Sequence, residues 1–306
     1  MEKENSNTPL PRLTSPSVIR ELLNGLGHRP NKGLGQNYLI DSNILGIIIA
    51  AAEISESDRL LEIGPGLGAL TQALLATGAK VTAIEKDKTM VSHLRNHFDG
   101  LKLLEDDVLD VDLNKMFNPP GEVTQPTTEK SDLSVGRVTS PGASQWKIVA
   151  NLPYSVGSRF IVNALEANPL PERMVFLVQK EVADRLTAQP GGKAFGPLAI
   201  WSQLNYEVKT IKKVSPNCFL PAPKVWSAVV QFKKRAAPLA EVTNYEQFKA
   251  LVKISFSQRR KQIGSNLRKN LPEFFHGLEK CGIDPTTRPE QIAIEQWVAL
   301  AQWDKE

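Results

Sequence analysis

The chain has 306 residues, enough for one sizeable α/β domain and a smaller one, and its 41% hydrophobic and 23% charged residues are ordinary for a soluble globular protein. The first fifteen residues are polar, the longest apolar stretch (residues 44–54) is too short to span a bilayer, and Cys218 and Cys281 lack metal-ligand spacing. We therefore expect a monomeric cytoplasmic protein with no membrane segment, disulfide framework or metal site.

The net charge of +4 is unevenly distributed. Residues 201–270 contain fourteen Lys or Arg and three Glu, so the remainder of the chain is net negative. A basic stretch is most often a solvated surface. Beside an active site, however, it favours a polyanionic partner such as a nucleic acid.

Strand and helix patterns alternate through the first half of the chain. Residues 1–15 are expected to form a flexible amino terminus, and a capped helix begins at Ser15-Pro16. A glycine-rich loop at residues 31–39 precedes a second helix. The next elements are a strand at 59–63, a turn at 64–68, a helix at 69–76, a strand at 80–85, a helix at 88–97, and strands at 101–105 and 147–150. This order predicts the α/β class, with a doubly wound Rossmann-like domain.

The pattern changes in the second half of the chain. Residues 173–178 predict another strand, and residues 206–214 and 225–232 predict an antiparallel pair at the sheet edge. After Pro238 the apolar residues follow helical spacing.

Two domains are therefore predicted, a larger one over residues 16–238 and a small helical one over residues 239–306. Residues 118–145 are rich in Pro, Gly, Ser and Thr, which predicts a disordered insertion within the larger domain.

A glycine-rich turn, Glu-Ile-Gly-Pro-Gly-Leu-Gly at residues 62–68, follows the first core strand. Its glycines let a nucleotide-like ligand approach the backbone. Glu85 ends the next strand, where a carboxylate can accept both ribose hydroxyls, and Asp107 follows the third strand, where it can accept an adenine amine. A charged strand end and a solvated acidic turn are the alternatives. These residues favour an adenosine-containing cofactor, either NAD or S-adenosylmethionine.

The fourth core strand ends in Asn151-Leu152-Pro153-Tyr154, at the edge of the sheet that faces the cofactor. With other segments, this tetrapeptide resembles the ribosomal RNA adenine N6,N6-dimethyltransferases of the KsgA type. The resemblance covers the chain from Asn31 onward. It is carried by Gly-Gln-Asn-Tyr-Leu at 35–39, the glycine turn at 62–68, Glu85, Asp107, Asn-Leu-Pro-Tyr at 151–154, Gln-Lys-Glu-Val at 179–182 and Phe-Leu-Pro-Ala-Pro-Lys-Val at 219–225.

The resemblance implies a methyltransferase that dimethylates N6 of two adjacent adenosines in the 3′-terminal hairpin loop of 16S rRNA, within the small ribosomal subunit or its precursor, with a role in subunit biogenesis. The implied cofactor is S-adenosylmethionine, contacted by Asn37, Leu39, Gly64, Glu85, Asp107 and Asn151. The implied catalytic set is Asn151, Leu152, Pro153, Tyr154 and Phe219.

These residue types suit the chemistry of an adenine amine, whose lone pair is delocalised into the ring and needs orientation more than a strong base. The Asn151 side-chain oxygen and the Leu152 carbonyl can accept the two N6 hydrogens, and Pro153 stiffens the turn. Tyr154 and Phe219 can stack on the extruded base. An ordinary turn would also use Asn and Pro, and Phe219 would equally suit a core position.

Arg259-Arg260-Lys261 is the best candidate for contacts with rRNA phosphates, against the alternative of a solvated helix end. Other functions also stay open: a large-subunit rRNA adenine methyltransferase of the erythromycin-resistance type, a non-catalytic ribosome-assembly factor, and an NAD-dependent oxidoreductase. Residues 219–225 favour the small-subunit enzyme, and the intact site residues argue for catalysis. No obvious proton donor for an oxidoreductase lies near the glycine turn.

Overall fold

The computed structural model describes residues 12–30, 35–118 and 146–303. The strands are β1 Tyr38–Leu39, β2 Arg59–Ile63, β3 Lys80–Glu85, β4 Lys102–Glu105, β5 Trp146–Asn151, β6 Arg173–Gln179, β7 Tyr206–Val214, β8 Phe219–Leu220 and β9 Ser227–Lys234. The α-helices are α1 Pro16–Gly25, α2 Ser42–Ala52, α3 Ala69–Leu75, α4 Lys88–His97, α5 Leu113–Phe117, α6 Gly157–Leu165, α7 Lys180–Leu186, α8 Pro197–Asn205, α9 Tyr245–Ser257, α10 Ile263–Asn270, α11 Pro272–Phe275, α12 Gly277–Lys280 and α13 Ile294–Ala301.

Seven strands form the main sheet in the order β4-β3-β2-β5-β6-β9-β7. The first five are parallel, and β9 and β7 are antiparallel to their neighbours. The predicted doubly wound domain with an antiparallel edge is therefore confirmed. The central strands β5 and β6 are apolar on both faces because helices cover both sides of the sheet, and Val149 and Phe176 are fully buried.

Two differences from the predicted elements have physical causes. The strand predicted at 225–232 begins only at Ser227, because its partner β6 ends at Gln179 and the chain enters α7 at Lys180. A separate two-stranded ribbon joins β1 to β8, pairing Tyr38 with Leu220 and Leu39 with Phe219. This ribbon, which sequence periodicity did not predict, ties the amino-terminal loop to the segment before β9.

A second hydrophobic core lies among the carboxyl-terminal helices, around Phe248 and Trp297. Ile200 and Leu204 of α8 belong to this core, so α8 packs with helices on the far side of the predicted boundary between residues 238 and 239. The boundary itself stays a prediction. Within the described ranges, none of the helices is long and apolar enough to cross a bilayer.

The amino-terminal bound of the larger domain, residue 16, stays a prediction, and the structure shows packing before it. Leu13 is buried with Leu94 and Phe98, so the packed chain extends into the segment predicted to be flexible over residues 1–15. The rest of that segment, residues 1–11, lies outside the described residues. The insertion predicted at 118–145 also lies outside them, apart from Asn118.

Candidate active site

A cavity lies at the carboxyl edge of the sheet, where folds of this class bind ligands. The loop before β1, the turn after β2, the ends of β3 and β4 and the segment after β5 all border it. The predicted site residues that line the cavity are Asn37, Leu39, Gly64, Glu85, Asp107, Asn151, Leu152, Pro153 and Tyr154. The topology thus brings together residues from five separate parts of the chain.

Glu85 is held at the end of β3 by backbone donors. One carboxylate oxygen accepts the Gly66 N–H at 3.1 Å, and the other accepts the Asp87 N–H at 2.8 Å. The side chain is buried, and burial raises its pKa. Each oxygen keeps a lone pair for a further donor, so the carboxylate can accept a pair of ligand hydroxyls.

Two glycines allow the surrounding loops to close on the Asn-Leu-Pro-Tyr segment. Gly64 has a φ of +62°, and a Cβ there would lie 3.2 Å from Pro153 Cγ. Gly35 has a φ of +68°, and a Cβ there would lie 3.0 Å from the Tyr154 backbone nitrogen. A side chain at either position would be strained and would separate the loop from the segment.

The orientation of the Asn151 amide follows from its contact with the amino-terminal loop. Its Nδ2 donates to the Asn37 carbonyl at 3.1 Å, and the Asn37 side chain in turn donates to the Gly35 carbonyl at 3.0 Å. Because a carbonyl accepts only from the amine end of the amide, Asn151 Oδ1 is left as an acceptor. Asn37 is predicted to contact the cofactor, and its backbone carbonyl also orients the Asn151 amide.

The backbone after β5 supplies a second acceptor. The Leu152 N–H donates to the Leu177 carbonyl at 3.1 Å, and the Pro153 carbonyl accepts N–H groups from Val156 and Gly157. Among the described residues, nothing donates to the Leu152 carbonyl or to Asn151 Oδ1. Asn151 and Leu152, which both line the cavity, therefore each keep one oxygen available as an acceptor.

Tyr154 and Phe219, both predicted to stack on a base, lie in different surroundings. Tyr154 is half-buried at the cavity, its hydroxyl is 2.7 Å from that of Ser227, and burial raises its pKa. Phe219 is 3% exposed, packs in a cluster with Leu39 and Ile48, and does not line the cavity. Pairing of β8 with β1 places the Phe219 ring in this cluster, and the stacking role predicted for Phe219 stays a prediction.

Three consecutive carboxylates, Glu105, Asp106 and Asp107, lie at the end of β4 and in the turn after it. Asp107 lines the cavity and forms an ion pair with Lys86 at 2.7 Å, which lowers the pKa of Asp107. Asp106 also lines the cavity. Glu105 is directed elsewhere, 3.4 Å from Arg95, and does not line it.

Several lining residues were not predicted. Gln36 donates to Asp87 at 3.1 Å and so anchors the amino-terminal loop to α4, and Tyr38 and Lys86 also border the cavity. Position in the motif at 35–39 was the only sequence signal for Gln36 and Tyr38. Among the described residues that line the cavity, Glu85, Asp106 and Asp107 supply carboxylates and Lys86 is the one cation, while burial raises the pKa of Glu62 to about 8 and keeps it protonated near neutral pH. This balance suits a positively charged ligand better than a pyrophosphate.

Glu62 lines the cavity but is fully buried, and it accepts the Thr71 hydroxyl at 2.7 Å. Burial raises its pKa from 4.5 to about 8. The folded protein therefore keeps a proton that the unfolded chain releases, and stability present below about pH 4.5 is lost progressively as pH rises toward 8. We expect Glu62→Gln, which still accepts from Thr71 but cannot ionise, to flatten this decline in the free energy of unfolding.

Urea denaturation of the cofactor-free protein at pH 5 and pH 8.5 measures the effect. Glu62→Gln should gain stability over the unaltered protein at the higher pH, and the exposed Glu56→Gln should not. Identical pH dependence of Glu62→Gln and the unaltered protein would contradict the assignment.

The predicted RNA-binding cluster lies away from the cavity, in the turn between α9 and α10. Arg260 and Lys261 are exposed, whereas Arg259 is 3.8 Å from Glu290. Arg259 also lines a second groove between α7 and the carboxyl-terminal helices. None of the three residues lines the cavity that the base-holding segment borders.

Comparisons with known proteins identify the family to which the chain belongs. A family model described as ribosomal RNA adenine dimethylase matches residues 27–306. Ribosomal RNA small subunit methyltransferase A of Opitutus terrae is 40% identical over 297 residues, which cover 94% of this chain and 97% of the relative. The protein of the same name from Halothermothrix orenii is 36% identical over 298 residues, covering 94% and 93%.

Among solved structures, a dimethyladenosine transferase from Plasmodium falciparum aligns with a TM-score of 0.64 at 25% identity, covering 86% of this chain and 95% of that one. The 23S rRNA methyltransferase ErmE aligns with a TM-score of 0.60 at 24% identity, covering 86% and 98%, and shows the fold alone. The family model spans nearly all of the chain. The chain therefore belongs to the ribosomal RNA adenine dimethylase family and is an rRNA adenine methyltransferase.

Proposed function

We propose that this protein transfers methyl groups from S-adenosylmethionine to N6 of two adjacent adenosines in the 3′-terminal hairpin loop of small-subunit rRNA. The observation that carries the proposal is the pair of available acceptors, Asn151 Oδ1 and the Leu152 carbonyl, on the wall of one cavity. An exocyclic amine has two hydrogens, and two fixed acceptors match them. The names of the curated relatives favour the small-subunit substrate.

The cavity also fits the cofactor. Glu85 can accept the ribose hydroxyls, and Asp107 can accept the adenine amine in place of Lys86. Asn37, Leu39 and Gly64 complete the wall on the side of the amino-terminal loop. When bound, S-adenosylmethionine supplies an activated methyl group on a positively charged sulfur, which the acidic lining favours over the negatively charged NAD.

The protein's own groups orient and polarise the amine. Asn151 Oδ1 and the Leu152 carbonyl each accept one N6 hydrogen, which draws the nitrogen out of conjugation and aims its lone pair at the methyl group. Bound S-adenosylmethionine would supply the methyl group and keep the electron pair of the broken C–S bond on its sulfur. The methylated nitrogen then releases one N–H proton to water, while Asn151 Oδ1 and the Leu152 carbonyl hold the amine by its hydrogens. The monomethylated amine retains one hydrogen for one of these acceptors, so the same pair can support a second transfer.

Tyr154 supplies a stacking face for the extruded base, held in place by the Ser227 hydroxyl. Pro153 has no N–H to compete for the acceptors, and its carbonyl is already occupied by two backbone donors. We also propose that the enzyme is a monomer in the cytoplasm. Residues 239–306 would then contact the ribosomal particle.

Primer extension on small ribosomal subunits that lack the modification tests the substrate. Incubation with the enzyme and S-adenosylmethionine should produce two consecutive stops near the 3′ end, because dimethylation of N6 blocks the pairing edge of adenine. Stops on large-subunit rRNA instead would favour the large-subunit alternative. No methyl incorporation into either subunit would favour a non-catalytic assembly factor.

The basic turn after α9 gives a separate prediction. Reversal of its two exposed charges, Arg260→Glu with Lys261→Glu, should weaken rRNA binding and reduce the slope of log K against log salt by about 1 to 2, because fewer counterions are released. Lys80→Glu with Lys102→Glu is the control. Both lysines are exposed at the amino-terminal ends of β3 and β4, opposite the edge of the sheet that holds the cavity. Titrations at several salt concentrations measure the slopes, and an unchanged slope removes the turn from the interface.

A further inference from the structure

An exposed indole lies outside the cavity and has no role in the proposed chemistry. Among the described residues, Trp226 is the most exposed large hydrophobic side chain, at 52%, and the neighbouring Val225 follows at 46%. Both residues precede β9 and take no part in its ladder with β6. Exposed apolar side chains grouped in this way mark an interaction surface.

The direction of β9 places Trp226 at the same sheet edge as the base-holding segment. β9 is antiparallel to β6, so its first residue, Ser227, lies opposite Gln179, the last residue of β6. Ser227 reaches across β6 to the Tyr154 hydroxyl at 2.7 Å. Trp226 immediately precedes Ser227, and its carbonyl accepts the Lys180 N–H at 2.8 Å. Trp226 and Tyr154 therefore occupy neighbouring positions at this edge, with Ser227 between them.

A cationic groove lies along α7, the helix whose first residue, Lys180, donates its N–H to the Trp226 carbonyl. Its charged lining consists of Arg185, Lys193, Lys253 and Arg259, with Glu181 and Asp184. Asp184 is paired with Lys180 at 2.5 Å and Arg259 is 3.8 Å from Glu290, so Arg185, Lys193 and Lys253 against Glu181 leave a net positive lining. Stacking rings followed by a positive groove are the arrangement by which proteins hold single-stranded nucleic acid.

We propose that the Trp226 indole stacks on the base of a nucleotide adjacent to the target adenosine, while the groove along α7 binds the phosphates that follow. This inference rests on the proposed function, and it gives the flanking nucleotide a partner that the Asn-Leu-Pro-Tyr segment does not supply. An adenosine that leaves its stack deprives its neighbour of one stacking face. Trp226 replaces that face and keeps the strand in register with the cavity.

The test compares Trp226→Leu, which keeps an apolar side chain but removes the π face, with Trp226→Phe, which retains a ring. The probe is a protein-free RNA of the unmodified small-subunit 3′-terminal hairpin, and binding is measured by titration. We expect Trp226→Leu to weaken binding about 5- to 100-fold, the range for one lost stack, and Trp226→Phe to stay within about threefold of the unaltered protein. Leu239→Ala, exposed beyond the other end of β9, should have no effect.

Thermal unfolding and S-adenosylmethionine affinity should be the same in all variants, because Trp226 is exposed and does not line the cavity. Unchanged RNA affinity of Trp226→Leu overturns the inference. A loss seen only with intact small subunits also overturns it, since the partner of Trp226 would then be a ribosomal protein. Binding that depends on Trp226 without any methylation supports this inference and overturns the proposed function, so the two failures are distinguishable.

Discussion

Asn151→Ala is expected to lower the methylation rate about 100- to 1,000-fold while cofactor binding remains measurable. The substitution removes one of the two acceptors and leaves the amine held by the Leu152 carbonyl alone. It also removes the 3.1 Å contact with the Asn37 carbonyl, whose loss should weaken cofactor binding by no more than about 10-fold. Single-turnover methylation of unmodified small subunits and calorimetry with S-adenosylmethionine measure the two effects separately.

Asn163→Ala is a matched control, because Asn163 is an exposed asparagine on the neighbouring helix α6. It should leave both measurements unchanged. A rate for Asn151→Ala within a few-fold of the unaltered protein would show that the amine is oriented by other groups. Parallel losses of rate and cofactor affinity would instead assign Asn151 to the cofactor site alone.

Glu85→Gln is expected to raise the dissociation constant of S-adenosylmethionine about 10- to 100-fold. Both oxygens of Glu85 accept backbone N–H groups, from Gly66 and Asp87. An amide at this position has one nitrogen in place of an oxygen, so one of these backbone donors would face another donor. The variant also loses the negative charge that strengthens the bonds to the ribose hydroxyls. The catalytic rate at saturating cofactor should fall less than the affinity.

Glu105→Gln is the matched control for this substitution. Glu105 ends β4 directly opposite Glu85 in the parallel ladder, but its side chain is exposed and faces Arg95. Calorimetry measures the affinity of both variants for S-adenosylmethionine and for NAD. It therefore also distinguishes between the two cofactors that the glycine turn at 62–68 could bind. Equal affinities of Glu85→Gln and Glu105→Gln for S-adenosylmethionine would remove Glu85 from the ribose site.

The larger domain and most of the predicted cavity lining follow from local sequence patterns. Strands β2 and β3 begin and end at the predicted residues. Because both faces of these strands are buried, each is a continuous apolar run with turn residues at its ends. Parallel order then places the ends of these strands at one edge, so Glu85, Asp107 and Asn151 meet without any long-range information. The family and fold predicted from these motifs are confirmed.

The features that sequence did not predict depend on contacts between distant segments. No local pattern distinguishes a core Phe219 from a stacking one, and its burial depends on the partner strand β1. The pairing of Lys86 with Asp107 needs the register of β3 and β4. Likewise α8 has apolar residues on several sides, and only packing shows that Ile200 and Leu204 join the carboxyl-terminal core.

The small ribbon between β1 and β8 also constrains the order in which the molecule is completed. Its two halves are joined by roughly 180 residues of intervening chain, so closing it costs more entropy than any neighbouring strand pair of the main sheet. Residues 35–39 carry the carbonyl that sets the Asn151 amide, and the ribbon is what pins them. We therefore expect a nascent chain that has not yet emerged beyond Leu220 to lack the ribbon, and with it the contact that orients the Asn151 amide.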